Sequence, residues 1–164
     1  MSARRDGAST TPATMALTRL GIPFELHPYV HDPAVASFGL EAAAALSVPA
    51  YLVFKTLLVE VEGGGLAMGM VPVDRSLDLK AMAAALGAKR VAMAAPAAAE
   101  RATGYVVGGI SPLGQRRRLP AVLDRSALAL DLVYVSGGRR GLDLSLAPAD
   151  LVTATAARVA EISR

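Results

Sequence analysis

Residues 51–61 form an apolar run, Tyr-Leu-Val-Phe-Lys-Thr-Leu-Leu-Val-Glu-Val, and Gly63, Gly64 and Gly65 separate it from a second run at 66–73. Glycine reaches positive φ without steric penalty, so this segment reads as two strands joined by a tight turn, an antiparallel hairpin. Side chains alternate along a strand: Tyr51, Val53, Lys55, Leu57 and Val59 share one face, and Leu52, Phe54, Thr56 and Leu58 the other. Both faces are apolar, as in a strand central to a sheet, yet one carries an ammonium. A lysine there must snorkel to an edge, pair with an acid or line a cavity. Perturbed buried amines cluster at functional sites, which makes Lys55 the most informative single residue. Lysine is otherwise confined to Lys80 and Lys89, so arginine was not simply interchangeable with it at position 55.

The remaining punctuation predicts further elements. Thr11 or Thr14 caps a first helix running to about Leu20, which Gly21 and Pro23 end. Residues 24–30 read as a strand interrupted by Pro28 and closed by an Asp32-Pro33 turn. Short helices are expected at 40–46, at 77–86 before Gly87, and at 96–102 with Pro96 in the first turn. Three short strands follow at 120–123, 131–136 and 142–147, and Pro148 with Asp150 opens a last helix near 149–156. Strands paired through hairpins, with helices between the groups, predict an α+β (mixed α/β) fold rather than the regular βαβ of a dinucleotide-binding domain. Residues 1–10 are small and polar and read as a disordered leader, with 11–164 forming a single domain.

Composition narrows the chemistry. The chain has no cysteine, which removes disulfides, thiolate metal sites and a cysteine nucleophile, and its two histidines are too few for a multi-histidine metal centre. Neither a metal nor a cofactor is expected. Alanine inflates the apolar fraction of 53%, and no uncharged run is long enough to cross a bilayer. The first ten residues carry Arg4, Arg5 and Asp6 but no apolar h-region, so the expectation is a soluble cytoplasmic protein without a membrane partner. The net charge of +3 is patterned into blocks at Arg116-Arg117-Arg118, Arg139-Arg140 and Lys89-Arg90. These blocks suit phosphates, or are solvated loop residues.

Three segments carry candidate chemistry. Residues 103–114, Thr-Gly-Tyr-Val-Val-Gly-Gly-Ile-Ser-Pro-Leu-Gly, are glycine-rich, which lets backbone amides approach an anion or a developing oxyanion. No Gly-Lys-Ser/Thr follows, so this is not a Walker loop. Leu113 stands where a nucleophile elbow needs its second glycine, so Ser111 is a poor nucleophile. In residues 134–143 a strand ends in a glycine turn and the next places Leu142, Leu144 and Leu146 on one face, Asp143 and Ser145 on the other. Asp143 is either an acid at the rim of a cavity or the polar side of a half-exposed strand. His27, Tyr29 and His31 would share a strand face beside Asp32, a weak signal for a metal or a general base when Pro28 and Pro33 interrupt it.

Together, the segment from Tyr29 to Pro33, Phe38-Gly39, Phe54-Lys55-Thr56-Leu57, Leu77-Asp78-Leu79-Lys80, Ala85-Leu86-Gly87-Ala88-Lys89, residues 103–115 and residues 134–143 resemble the YbaK/EbsC family of bacterial aminoacyl-tRNA deacylases. That family is related to the editing domain inserted in many prolyl-tRNA synthetases. The resemblance runs from about Thr11 to the C-terminus. It implies a mixed, partly closed sheet or barrel surrounded by helices, and hydrolysis of mischarged Cys-tRNA(Pro) assisted by the substrate's own thiol. Lys55 matches the family's essential lysine. Gly108 and Gly109, with Ile110, Ser111 and Pro112, match its glycine loop, and Tyr29, Phe38, Thr56, Ser136 and Asp143 match pocket residues. The implied partners are the 3′ aminoacyl-adenosine end of a mischarged tRNA and prolyl-tRNA synthetase in a ternary complex. Two alternatives stand beside this: a deacylase for another mischarged tRNA such as Ala-tRNA(Pro), or a non-catalytic module that binds tRNA or a synthetase.

Overall fold

The structure, a computed structural model, describes residues 10–35 and 37–164. Its elements are α1 (Pro12–Leu20), β1 (Glu25–Pro28), α2 (Phe38–Leu46), β2 (Phe54–Val61), β3 (Leu66–Pro72), α3 (Leu79–Leu86), β4 (Val91–Met93), α4 (Pro96–Thr103), β5 (Ala121–Asp124), β6 (Val133–Arg139), β7 (Leu142–Leu146), α5 (Pro148–Thr155) and β8 (Arg158–Ala160). Local chemistry sets the helix ends. Thr11 and Thr14 cap α1 reciprocally, each hydroxyl accepting from the other's N–H at 3.2 and 2.9 Å, and Gly21 closes it at φ 69°. Asp78 caps α3 through Ala81 N–H, and Gly87 ends it in the left-handed region.

The hairpin β2–β3 is antiparallel, with Lys55 opposite Val71 and Thr56 opposite Met70. It forms the middle of a five-stranded mixed sheet ordered β4-β2-β3-β5-β8, in which β4–β2 is antiparallel and β3–β5 and β5–β8 are parallel. A second, antiparallel sheet has the order β1-β7-β6. Among the described residues, a parallel bridge between Val53 and Tyr134 joins the two, and at this seam the structure is partly closed.

Both faces of the large sheet are covered. Phe54, Leu58, Met70 and Leu123 pack against Val135, Leu144 and Leu146 of the small sheet, with Leu17 of α1 and Leu151 of α5. Val59, Val71 and Val122 pack on the opposite side against Met82 of α3 and Ile162. Each such fully buried side chain contributes about 1.5–3 kcal/mol relative to exposure. A smaller cluster of Ala42, Ala43, Val53 and Val73 seats α2 over the seam.

The α+β class holds, but several boundaries move. Residues 50–52 form a 3-10 turn, so Tyr51 leaves the strand face it was assigned and is 54% exposed. The first strand is cut at Pro28, whose ring offers no N–H to continue the ladder. β4 and β8 were not expected, being three residues each and held by their neighbours rather than by any apolar alternation. The leader expected at 1–10 lies outside the described residues, except Thr10. Among those described, no helix is long and apolar enough to cross a membrane.

Candidate functional site

The seam opens into a cavity of about 320 Å³, at the small end for a ligand site. One wall is Val53 with β2 as far as Leu58; the small sheet adds Ser136 and Asp143, and Tyr29 follows β1. Phe38 and Gly39 come from the start of α2, and Met93 and Ala94 lead from β4 into α4. The glycine loop contributes Val107, Gly108 and Ile110. Most of the lining is apolar.

Lys55 sits in this wall, half-buried. Among the described residues no carboxylate forms an ion pair with it. Burial lowers its pKa, and the more distant Asp74 charge works against that shift. Of the readings open to a strand lysine, cavity lining is the one the geometry takes. Next in sequence, the Thr56 hydroxyl is buried and has no hydrogen-bond partner among the described residues. An orphaned buried hydroxyl costs about 1–3 kcal/mol, which a ligand group can recover.

Asp143 is 5% exposed and faces Ser136 across the antiparallel pair β6–β7. Burial pushes its carboxyl up to about 7. Burial, and then the Asp143 charge, hold the Tyr29 hydroxyl up at about 12, against an opposing hydrogen bond with the Gly141 backbone. The two histidines separate. His27 Nε2 is 2.8 Å from Ser145 Oγ, and His31 Nδ1 is 2.8 Å from Glu41 Oε1, so they share no site. Glu41 also accepts from the Asp32 N–H at 2.8 Å, and its carboxyl is held below the usual range by His31 and then by that amide. These bonds tie the loop after Tyr29 to α2 and bring the His31 ring 5.7 Å from Phe38.

The glycine loop is built as a turn whose central amide is left over. Gly109 N–H donates to Val106 O at 2.9 Å, and Val107 N–H donates to Glu100 Oε2 at 2.8 Å. Between them, the Gly108 N–H has no acceptor among the described residues, and neither has that of Ile110. Gly109 is therefore not a second open donor: its N–H closes the turn. It is glycine because a Cβ would lie 2.8 Å from the Arg139 and Arg140 backbone. Ser111 and Pro112 are buried and absent from the cavity wall; Ser111 Oγ accepts from Leu113 N–H at 3.2 Å, a local turn bond. Their place is structural, behind the loop. Tyr105 anchors the same segment by donating to Leu113 O at 2.6 Å.

Arg140, noted in the sequence only as half of a basic doublet, reaches the site from the turn between β6 and β7. Its Nε donates to Val107 O at 2.9 Å and its guanidinium lies 5.0 Å over the Phe38 ring. Glu100 was missed too. Nothing in the local pattern marks either residue: the Arg140 contact spans 33 positions, and the Glu100 bond, seven residues long, depends on how the loop folds back against the end of α4.

The fold and site define a mixed-sheet domain with a small, mostly apolar cup whose wall includes an amine-bearing lysine, a buried carboxyl and the glycine turn at Gly108. The family model of the aminoacyl-tRNA editing domain matches residues 32–154. A proposed Cys-tRNA(Pro)/Cys-tRNA(Cys) deacylase, EbsC of Enterococcus faecalis, is 35% identical over 121 residues, 74% of each chain. Among solved structures, a hypothetical protein, APE2540, superposes with a TM-score of 0.84 at 30% identity, over 94% of this chain and all of its own. A proposed trans-editing enzyme for prolyl-tRNA synthetase gives the same TM-score, 0.84, at 26% identity over 97% and 99%. The chain belongs to the aminoacyl-tRNA editing domain family and is an editing deacylase, with aminoacyl-tRNA as its substrate class.

Proposed function

We propose that the protein removes cysteine from mischarged Cys-tRNA(Pro), acting in trans in the cytoplasm, and that residues 11–164 carry this activity as one domain. The reading rests on one convergence: Lys55, Gly108 and Asp143 line a single cavity of about 320 Å³, room for an amino acid and the ribose that bears it. The names of EbsC and of the trans-editing neighbour support the choice of substrate.

An aminoacyl ester is already activated, so positioning and charge stabilisation suffice without a protein nucleophile. The cysteine thiol of the substrate attacks its own carbonyl carbon. A C–S bond forms, the ester C–O bond breaks, and the thiol proton passes to the departing ribose oxygen. Water then opens the thiolactone to free cysteine. Lys55 orients the terminal adenosine through its ribose or phosphate and stabilises negative charge. The Gly108 N–H binds the carbonyl oxygen. Tyr29, Phe38 and Thr56 shape the cup, with Ile110 in its wall, while Ser136 and Asp143 hold the amino-acid end, Asp143 facing the α-ammonium. Editing is needed because cysteine and proline are too close in size for a synthetic site to separate by binding alone. Selection of tRNA(Pro) falls to a ternary complex with prolyl-tRNA synthetase, since a modest net charge of +3 supplies little affinity by itself.

The deciding experiment is a deacylation panel of Cys-tRNA(Pro), Ala-tRNA(Pro), Ser-tRNA(Pro) and Cys-tRNA(Cys), with and without the synthetase. Release of cysteine well ahead of serine is expected. Equal rates for the two would point to protein-activated water, preference for alanine to the Ala-tRNA(Pro) reading, and binding without turnover to a silent module.

A further inference from the structure

The open Gly108 amide belongs to a peptide that a turn can hold in either of two orientations. Val106 O accepts from Gly109 N–H at 2.9 Å, which makes residues 106–109 a β-turn with Val107 and Gly108 at its centre. Gly108 has φ 90°, the value required at the third position of a type II turn. Type I and type II turns differ by rotation of the central peptide through about 180°, with the flanking residues almost unmoved. Glycine at that third position tolerates both forms. The central peptide here is Val107–Gly108. Because C=O and N–H point in opposite directions across a trans peptide, whatever holds the Val107 carbonyl also decides where the Gly108 N–H points.

Arg140 holds that carbonyl. Its Nε–H donates to Val107 O at 2.9 Å, and stacking on Phe38 at 5.0 Å fixes the guanidinium that makes the bond. The space is closed on both sides: a Cβ on Gly108 would lie 2.8 Å from Phe38 Cδ1 and 2.9 Å from Arg140 Nε. A cation on the carbonyl also polarises the peptide and makes its N–H a stronger donor. We propose that Arg140 is a positioning residue that locks the Val107–Gly108 peptide in the orientation presenting the Gly108 N–H to the scissile carbonyl. The lock rests on the deacylase reading above for its purpose, but not for its geometry. Phe38 then has a second task beyond shaping the cup, which is to keep the Arg140 plane in place.

The test compares the wild type with Arg140→Ala, Arg140→Lys and, as a charge control, the exposed Arg125→Ala, on Cys-tRNA(Pro) at saturating and limiting concentrations. A lost oxyanion donor costs about 10²–10³ in kcat, so a donor that is mis-aimed part of the time is expected to cost about 10- to 100-fold. Arg140→Ala should lower kcat by that factor with KM within about threefold, Arg140→Lys should recover only part, and added guanidinium should rescue Arg140→Ala. Arg125→Ala should match the wild type. A raised KM at unchanged kcat would make Arg140 a phosphate contact and overturn the lock, as would an equal loss in Arg125→Ala. The amide 15N relaxation of Gly108 in the ligand-free protein supplies a readout independent of activity. It should show new exchange broadening in Arg140→Ala, and an unchanged Gly108 signal would sink the proposal. A wild type that releases no amino acid from Cys-tRNA(Pro) would overturn the substrate reading, and the relaxation data would still decide the lock.

Discussion

Ser136 and Asp143 are direct partners across the antiparallel pair β6–β7, and both reach the wall of the same cavity. The pairing puts a hydroxyl beside a carboxyl that burial holds at about 7. Leu144 on one side of Asp143 packs in the main core and Leu142 on the other is fully buried, so strand alternation turns the Asp143 side chain to the opposite face.

The Asp143 carboxyl makes stability fall with pH. Its folded value of about 7 lies above the ordinary 3.8, so the folded state binds the extra proton. The stabilisation is complete below pH 4 and is lost as pH rises through about 7. At about 1.4 kcal/mol per pH unit over that interval, Asp143→Asn is expected to be more stable than the wild type by as much as about 4 kcal/mol at pH 8, and equal to it near pH 3. Urea titrations at the two pH values measure the difference. The same variant should bind the aminoacyl end more weakly and raise KM.

Lys55 trades stability for chemistry. A half-buried ammonium with no ion pair among the described residues is held against its desolvation, so Lys55→Met should keep or slightly raise Tm. Deacylation should fall at least about 10²-fold, the scale of a lost electrostatic contact to the transition state. Thermal melts and single-turnover assays on one preparation check both halves. A variant with normal activity would remove Lys55 from the mechanism.

Gly109→Ala tests close approach rather than conformation, because Gly109 does not have positive φ. Its new Cβ would sit 2.8 Å from the backbone of Arg139 and Arg140, which cannot move aside as a side chain would. Overpacking of this kind costs about 1–3 kcal/mol. The expected result is a lowered denaturation midpoint with the m-value unchanged.

Thr56→Val replaces a hydroxyl that has no partner with a methyl group of the same shape. Removing an unsatisfied buried group is neutral or stabilising. Tm should stay or rise while KM for the aminoacyl-tRNA increases several-fold. An unaltered KM would mean that no substrate group uses this hydroxyl.

Much of this protein was legible before any coordinates. Local rules placed helix ends: Thr11 with Thr14 starts α1, Gly21 ends it, and Gly87 ends α3, whose start lies at Leu79 behind the Asp78 cap rather than at 77. The two apolar faces of β2 and the oddity of Lys55 announced a buried hairpin with something to hide. The short strands β4 and β8 left no such trace, because three residues are held by neighbours and not by their own pattern. Nor did the sequence distinguish Gly108, whose amide is open, from Gly109, whose amide closes the turn. Both are glycine, for different reasons.

The division follows from the range of the forces involved. Backbone conformation, capping and alternation are decided within a few residues, so the sequence alone determined the α+β class, the central hairpin and the kinds of group available for chemistry. Burial and directed contacts depend on residues far apart in the chain, and only the tertiary structure decided those. It buried Asp143 and lifted its carboxyl, orphaned the Thr56 hydroxyl, parted the histidines and carried Arg140 across to the carbonyl of Val107, 33 positions away.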